Sequence, residues 1–195
     1  MRPNIIFIVP YRNREKQKDF FIEKMKYILE DIDSQDYLIL FIHQCDERDF
    51  NRGAMKNIGF LYAKHTYPDN YQDITLVFND VDTLPKNKNQ FDYMTTQGTI
   101  KHFYGCKIAL GGIFSINAKD FENINDYLLY LKKTNNGIHS IQNLSYEFDE
   151  NNLFVNVKHF DVPNLKSKTE KMDLRVTNTP YVSRRTDSSM KMKFI

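Results

Sequence analysis

Three continuous apolar runs, separated by segments with helical periodicity, constrain the fold of this chain more than any other feature. The runs are residues 4–9, 37–43 and 74–78. They are almost entirely apolar rather than alternating, which is typical of strands buried on both faces. The segments between them, at 15–32 and from 49 onward, repeat apolar residues at helical spacing. This β-α-β-α-β order predicts a single α/β domain with a mostly parallel central sheet and helices on both faces.

Polar or charged residues follow each of these three predicted strands directly. They lie at 11–14, 43–46 and 79–82. In open α/β sheets, ligands bind beyond the carboxyl ends of the parallel strands. We therefore expect the three segments to meet at one edge of the sheet and to form the ligand site there.

The third segment carries an acidic pair, Asp80 and Asp82, shortly before Pro85. Residues two apart on an extended chain project to the same side, so the two carboxylates can converge on one point. Hard oxygen ligands of this kind suit Mg²⁺ or Mn²⁺, especially when a diphosphate completes the coordination shell. The alternative interpretation is that the two Asp residues only cap a turn.

Basic residues stand near the other two strand ends. Arg12 and Arg14 follow the first strand beside a predicted helix start, and Arg52 opens the second helix. Guanidinium groups and helix N-terminal amides both favour phosphate, whereas a solvated basic loop is the alternative interpretation. With the acidic pair, these residues describe a cradle in which a metal neutralises a leaving diphosphate and the arginines hold it. Nucleotide-sugar transfer needs such a cradle.

The rest of the chain is less regular. A predicted strand at 106–116 contains two glycines, which often mark close approach by a ligand. A helix is predicted at 118–133, with Asn117 as its cap. Residues 163–195 hold eight Lys/Arg against three Asp/Glu. We therefore predict one domain at 1–162 and a basic, partly extended tail at 163–195.

Composition bears on several classes of function. A net charge of +2 is too small to indicate nucleic-acid binding by itself, although the basic tail keeps a nucleic-acid-binding module as a weaker hypothesis. Two cysteines, Cys45 and Cys106, indicate no disulfide framework and a reducing compartment. No stretch resembles a signal peptide or a membrane span. A cytoplasmic location is expected on this basis, and a compact chain without an anchor suits a microbe or a large virus.

Five motifs occur in an order that resembles the β-1,4-galactosyltransferase family. They are VPYRNR at 9–14, IHQ at 42–44, FNRGAMKNIGF at 50–60, FNDVDTLP at 78–85 and GGI at 111–113. The resemblance covers roughly residues 5–126. It implies a GT-A (Rossmann-like) fold, a UDP-sugar donor, and Mn²⁺ or, as the alternative, Mg²⁺. It also implies inverting transfer of a hexose of galactose or N-acetylhexosamine type to a glycan or protein-linked acceptor.

The resemblance assigns site residues motif by motif. Nucleotide-sugar-binding roles fall on Pro10, Tyr11, Arg12, Arg14, Phe50, Arg52, Asp80, Val81, Gly111 and Gly112. Asp82 matches the metal-ligating second Asp of the family's D-V-D motif, and Asp80 is expected near the sugar and ribose. The two glycines are expected beneath the donor. For Tyr11, stacking on the base and packing in the core are both open.

The chain departs from the family after the glycine pair. The family's W-G-W-G-G-E-D-D segment, which supplies the acceptor platform and the catalytic base, is missing, and the chain has no Trp. Asp126 is the acidic residue in register with the lost run, so we predict it as the catalytic base. A helix-surface role for Asp126 is the alternative. The missing segment also motivates a second hypothesis, a nucleotide-sugar-binding protein without transferase activity.

A further metal ligand is expected from the family's M/H-x-x-H pair. The nearest match lies at 156–159, which makes His159 a candidate because imidazole suits Mn²⁺. The position of His159 on the apolar face of a strand predicted at 153–160 makes a core histidine the alternative. His139 is a weaker candidate under another register.

Overall fold

One mixed sheet organises the chain in a computed structural model of the protein. The structure describes residues 2–106, 109–124, 141–151, 153–161, 175–178, 185–187 and 192–194. The helices are α1 (Glu15–Ile28), α2 (Arg52–Thr66) and α3 (Ala118–Ile124), with a 3-10 turn at Tyr71–Asp73. The strands are β1 (Ile5–Tyr11), β2 (Tyr37–Gln44), β3 (Thr75–Asn79), β4 (Thr83–Leu84), β5 (Thr99–Cys106), β6 (Ala109–Asn117), β7 (Gln142–Asp149), β8 (Phe154–Asp161), β9 (Arg175–Asn178), β10 (Arg185–Asp187) and β11 (Met192–Phe194).

Eight of these strands form the central sheet, in the order β7-β8-β2-β1-β3-β6-β5-β9. Four neighbouring pairs are parallel, namely β8–β2, β2–β1, β1–β3 and β5–β9. The other three pairs, β7–β8, β3–β6 and β6–β5, are antiparallel. The predicted α/β class is confirmed, and its sheet is mixed, with the predicted parallel strands at its centre.

The side chains of β1 alternate between two apolar layers on opposite faces of the sheet. Ile6 and Ile8 belong to a core that includes the buried faces of α2 and α3. Phe7 and Val9 belong to a second core formed with the buried face of α1. Since successive residues of a strand point to opposite faces, this arrangement requires helices on both sides of the sheet, as the sequence predicts.

Close packing of α2 on the sheet positions the start of that helix. A Cβ atom at Gly59 would lie 2.5 Å from Cγ2 of Ile8, so only glycine allows the helix to approach β1 this closely. At the other end, the side chain of Asn51 accepts a hydrogen bond from the N–H of Ala54 and caps the helix. Arg52, the first residue of α2, is thereby held at the carboxyl edge of the sheet.

Several predicted elements differ in extent from the observed ones. The helix predicted at 15–32 ends at Ile28, because the N–H groups of Glu30 and Ile32 bond three residues back in tight turns. The strand predicted at 106–116 is β6, the second strand of a hairpin with β5. The helix predicted at 118–133 is observed as α3, and its remainder lies outside the described residues.

Residues of the predicted C-terminal tail add strands to the domain. β9 pairs with β5 in the central sheet, and β10 and β11 form a small sheet with β4. The division at residue 162 stays a prediction. Within the described ranges, no helix is both long and apolar enough to span a bilayer.

Candidate functional site

A cleft of about 450 Å³ opens beyond the carboxyl ends of β1 and β3, beside the start of α2. It is lined by Pro10, Arg12, Asn13, Arg14, Phe50, Arg52, Asp80, Val81 and Asp82. All but one of these residues were predicted from the sequence as site residues; Asn13 is the addition. The structure therefore gathers the basic turn, the start of α2 and the acidic pair around one space, while their binding roles stay predictions.

The acidic pair lies in a tight turn between β3 and β4. The N–H of Thr83 bonds to the carbonyl oxygen of Asp80 at 3.0 Å. The side-chain amide of Asn79, which is fully buried, donates to the carbonyl oxygens of Asp80 and Thr83 at 2.9 and 2.8 Å. The expectation of an extended segment was therefore wrong, because these hydrogen bonds close the turn. Asp82 nevertheless lines the same cleft as Asp80, and its Oδ1 accepts from the Thr83 hydroxyl at 3.2 Å.

Gly112 supports this turn from the neighbouring strand. The N–H of Asp80 donates to the carbonyl oxygen of Gly112 at 2.9 Å. Gly112 has φ +72°, and a Cβ atom there would lie 2.3 Å from Cδ1 of Tyr104. Both facts require glycine at this position. Gly112 is thus linked to the site by its hydrogen bond with the backbone of Asp80. The donor-binding roles of Gly111 and Gly112 stay predictions.

The basic residues of the cleft are held to different degrees. The Arg12 guanidinium donates to the carbonyl oxygen of Arg48, which ties the β1 turn to the loop before α2. Arg52 Nη1 lies 3.7 Å from Asp80 Oδ2, with 66% of the Arg52 side chain exposed and 17% of that of Asp80. Because most of the Arg52 side chain is exposed, it is not locked against Asp80 and can reach another anion in the cleft. Arg14 precedes α1 at the rim of the cleft.

A buried glutamine shapes the loop that presents Phe50 and Arg52. Gln44 is 1% exposed. Its amide donates to Asp46 Oδ1 at 2.7 Å and to the carbonyl oxygen of Asp49 at 3.1 Å, and it accepts from the N–H of Asn51 at 2.8 Å. The sequence indicated this residue as part of the IHQ motif and of the polar segment 43–46, which was expected at the ligand site but does not line the cleft. Its position at the end of an apolar strand was the available signal for a buried polar residue that organises a loop.

Arg48, a residue of the same loop, ties the loop to β8. Its guanidinium forms an ion pair with Asp46 and donates to the carbonyl oxygen of Phe160 at 2.8 Å. Against the upward effect of burial, hydrogen bonds from Arg48 and Gln44 lower the pKa of Asp46. Asp46 is therefore ionised at neutral pH, and the loop is held by charge-assisted hydrogen bonds.

Tyr11 and His159, both predicted as site residues, do not line the cleft. Tyr11 is 4% exposed and packs against the rings of Phe41, His43 and Phe154, which corresponds to the packing alternative. His159 is not a core residue: its side chain is 55% exposed, with Nε2 3.4 Å from Asp161 Oδ1. The strand alternation breaks at this point, where two successive residues are exposed and the next is buried.

A divalent ion would find hard oxygen donors in this cleft. Asp82 offers a carboxylate beside that of Asp80, and three arginines offer countercharge to a diphosphate. In the part of the chain that the structure describes, no group of three His, Cys, Asp or Glu could hold a metal. The residues therefore fit an ion whose shell is completed by phosphate or water oxygens. His159 as a ligand stays a prediction, and Asp126 and His139 lie outside the described residues.

Comparison with solved structures identifies the class of the fold. The structure matches the catalytic domain of Drosophila β1,4-galactosyltransferase 7 in complex with xylobiose, with a TM-score of 0.54 and 17% sequence identity. The match covers 98% of this chain and 92% of that one. A mutant of the same enzyme, in complex with manganese, UDP-Gal and xylobiose, matches equally well at 18% identity. The fold is therefore the GT-A glycosyltransferase fold.

Comparison with sequences supports the resemblance seen in the motifs. Residues 1–95 match the N-terminal region of glycosyl transferase group 7. The chain is 29% identical over 133 residues to mouse β-1,4-galactosyltransferase 4, and 32% identical over 127 residues to the Caenorhabditis elegans xylosylprotein 4-β-galactosyltransferase. The chain is thus a homologue of the β-1,4-galactosyltransferases, and the resemblance found in its motifs is confirmed.

The similarity to these relatives is partial. The alignment covers 63% of this chain but 37% of the mouse protein, and 60% of this chain but 42% of the nematode protein. The chain thus matches less than half the length of these relatives. Both are animal proteins, so they do not support the expected microbial or viral source.

Proposed function

We propose that this chain transfers a hexose from a UDP-sugar to a hydroxyl acceptor on a glycan or glycoprotein, with inversion and dependence on Mn²⁺. The observation that carries the proposal is the cleft, which brings three arginines and the D-V-D turn together at the carboxyl edge of the sheet. Its homologues are named for galactose transfer, so galactose is the leading donor sugar and an N-acetylhexosamine the alternative.

Each wall of the cleft has a part in donor binding. Arg12, Arg14 and Arg52 hold the diphosphate, since guanidinium groups match phosphate oxygens in geometry and charge. Phe50, whose side chain is 40% exposed at the rim, offers an aromatic surface to the uracil. Asp82 would hold the Mn²⁺ ion, which when bound offsets the negative charge that develops on the departing diphosphate.

The transfer itself moves one proton and exchanges one bond. A base removes the proton of the acceptor hydroxyl, and the acceptor oxygen bonds to the anomeric carbon on the face opposite UDP. The bond between that carbon and the β-phosphate oxygen breaks, and UDP leaves. We assign the base to Asp126 from its register with the family's acidic run.

The assignment of Asp126 makes a specific prediction. Asp126→Asn should abolish transfer, because an amide cannot accept the hydroxyl proton, while UDP affinity measured by calorimetry stays within about twofold of wild type. The control is Glu23→Gln, which removes an exposed carboxylate from α1 and should leave both transfer and UDP affinity unchanged. Asp120 is not suitable as a control, because it is buried and accepts from the N–H of Gly98. Unchanged transfer by Asp126→Asn would place the base elsewhere.

The proposal is tested by donor binding and by UDP release. UDP affinity should fall sharply with EDTA and recover with Mn²⁺, and UDP release from UDP-galactose should rise when the right acceptor is added. The panel should include xylose-terminated acceptors, since one homologue is named for a xylosylprotein substrate, as well as N-acetylglucosamine. Equal UDP binding with and without metal would overturn the proposed role of the D-V-D turn.

The second candidate is a nucleotide-sugar-binding protein without transferase activity. The observation that favours it is the missing W-G-W-G-G-E-D-D segment, with no Trp anywhere in the chain. Metal-dependent UDP binding without release of UDP to any acceptor in the panel would support this candidate. A cytoplasmic location also stays a prediction, which fractionation of the source cells would test.

A further inference from the structure

Lys56, a residue of α2 to which the sequence motifs assign no role, places its ammonium over the ring of Phe78, two residues before Asp80. It lies on α2 one helical turn after Arg52, and residues four apart share a helix face. Both side chains therefore point from the same face of α2 toward the turn that carries Asp80. Arg52 stands at the helix start and is mostly exposed, whereas Lys56 stands deeper and is half-buried.

The stem and ammonium of Lys56 are held against aromatic rings. The ammonium nitrogen lies 5.3 Å from the centre of the Phe114 ring and 5.9 Å from that of Phe78. These two rings, on β6 and β3, are themselves 5.0 Å apart. Ring faces attract a cation, and their apolar surroundings reduce the screening of its charge. The position of Lys56 is thus determined by packing in the core rather than by solvent.

The Asp80 carboxylate interacts with two cations on this face of α2, Arg52 and Lys56. It has a close contact with Arg52 and a longer-range attraction to Lys56. Burial lowers the pKa of Lys56 below its ordinary value; the charge of Asp80 offsets part of this effect, and the charge of Arg52 adds to it. Any movement of Arg52 away from the turn therefore removes its repulsion of the Lys56 ammonium and leaves the attraction between Lys56 and Asp80.

Donor binding would cause such a movement. A diphosphate in the cleft would compete with Asp80 for Arg52, and guanidinium binds phosphate in two-point contacts that a carboxylate at 3.7 Å does not provide. Asp80, only 17% exposed, would then lose its close partner, and leaving a partly buried charge unpaired is costly. A second cation behind Asp80 removes this cost.

We infer that Lys56 is a positioning residue of the donor site, which holds the Asp80 carboxylate in place when Arg52 turns to the diphosphate. The inference rests on the proposed function, since it requires a nucleotide-sugar donor in the cleft. Lys56 would not touch the phosphates. It would set the direction of the carboxylate that the family resemblance places near the sugar and ribose.

A double-mutant cycle between Lys56 and Asp80 tests this inference. The probe is UDP-galactose with Mn²⁺, and its affinity is measured by calorimetry for wild type, Lys56→Met, Asp80→Asn and the double variant. Lys56→Met keeps the apolar stem and should weaken binding about tenfold. In the Asp80→Asn background, the same change should alter affinity by less than about twofold, because there is no carboxylate left to hold.

Three further variants separate positioning from structural damage. The Lys56→Arg variant should bind UDP-galactose with an affinity within about threefold of wild type, because it keeps the positive charge. Lys56→Gln repeats the cycle with a polar side chain, so the result does not depend on the folding of one variant. Lys24→Met is the matched control, since Lys24 is also half-buried over an aromatic ring, that of Tyr27 at 4.4 Å, but lies on α1. It should leave the affinity unchanged.

Each outcome decides between the inference and its alternatives. If Lys56→Met lowers the affinity equally in wild type and in Asp80→Asn, Lys56 acts through packing. If Lys56→Met does not lower the affinity of wild type, Asp80 does not need Lys56 to hold its position. Either result overturns the inference. If wild type itself shows no Mn²⁺-dependent binding of UDP-galactose, the proposed function fails instead.

Discussion

At the scale of single residues, each charged group of the cleft has its own environment. Asp80 is held by backbone and side-chain contacts, and Arg12 is tied to the loop before α2. Asp82 and Arg14 lie on the cleft wall, where a ligand can reach them. These differences allow the proposed metal and phosphate roles to be separated by single substitutions.

Asp82→Asn should remove metal-dependent UDP binding while leaving the fold intact. The amide has the shape of the carboxylate but lacks the charge that a divalent ion requires. Calorimetry with Mn²⁺ and then with EDTA measures the effect: the wild type should lose affinity on chelation, and the variant should show the same weak affinity in both buffers. Thermal unfolding monitors the fold. A variant that still responds to Mn²⁺ would contradict the assignment of Asp82.

Arg14→Ala should weaken UDP more than uridine. Its guanidinium is assigned to phosphate, and a charge-assisted hydrogen bond is worth about 1.5–3 kcal/mol, so UDP affinity should fall about tenfold or more. Uridine affinity should hardly change. Lys16→Ala, an exposed residue two positions further on, is the control for general loss of positive charge. Equal losses for the two ligands would show that Arg14 contacts the nucleoside.

At the scale of secondary structure, the sequence predicted best those elements whose signal is local. β1, β2 and β3 are mostly apolar, because their central residues are buried on both faces, and the apolar run itself reveals each strand. β5 was missed because its residues, TIKHFYGC, are mixed in polarity, and its place depends on pairing with β6 and β9. The position of His159 was misjudged because the alternation of β8 breaks just before it, which no local pattern showed.

The glycine pair illustrates the same limit within one element. The sequence indicated two glycines in a strand and suggested a nearby ligand. In the structure, Gly112 is needed for its positive φ and for the close approach of Tyr104, and its carbonyl anchors the D-V-D turn. Only the three-dimensional pairing of β6 with β5 and β3 reveals this requirement.

Gly112→Ala should therefore destabilise the domain more than an ordinary glycine substitution. The left-handed conformation costs alanine about 1 kcal/mol, and the contact with Tyr104 adds about 1–3 kcal/mol of overpacking strain. Gly98→Ala is a matched control, because Gly98 has φ +79° but no atom within 4 Å of the added Cβ. Urea unfolding should give the larger loss for Gly112→Ala. Equal losses would mean that the sheet relaxes around the new methyl group.

At the scale of the whole molecule, the donor side of the domain could be predicted well and the rest could not. The motifs around the cleft are short and local, so their order was enough to indicate the family. The acceptor side depends on a segment that departs from the family, and Asp126 within it lies outside the described residues. The cluster of charges that links α2, α3 and the 3-10 turn was also beyond the sequence, because its members lie far apart along the chain.

That cluster is centred on Glu122, whose carboxylate joins α3 to α2 and to the 3-10 turn. Lys64 donates to it at 2.6 Å, Lys119 at 2.9 Å and the Tyr71 hydroxyl at 2.8 Å. Burial acts to raise its pKa, but these hydrogen bonds prevail and lower the pKa of Glu122 to about 2, from an ordinary value of 4.5. The unfolded chain therefore binds a proton at a higher pH than the folded protein does.

The stability that this carboxylate contributes should be fully present above pH 4.5 and should be lost as the pH falls toward 2. Glu122→Gln should cost up to about 3 kcal/mol in the free energy of unfolding at pH 7, because the amide cannot form the charged hydrogen bonds. The difference between wild type and variant should shrink as the pH falls through this window, since protonated Glu and Gln then resemble each other. Urea unfolding at a series of pH values measures this difference, and the exposed Glu23→Gln variant should stay close to wild type throughout. A difference independent of pH would mean that Glu122 acts through its shape and packing, and that α3 is joined to α2 and the 3-10 turn without its charge.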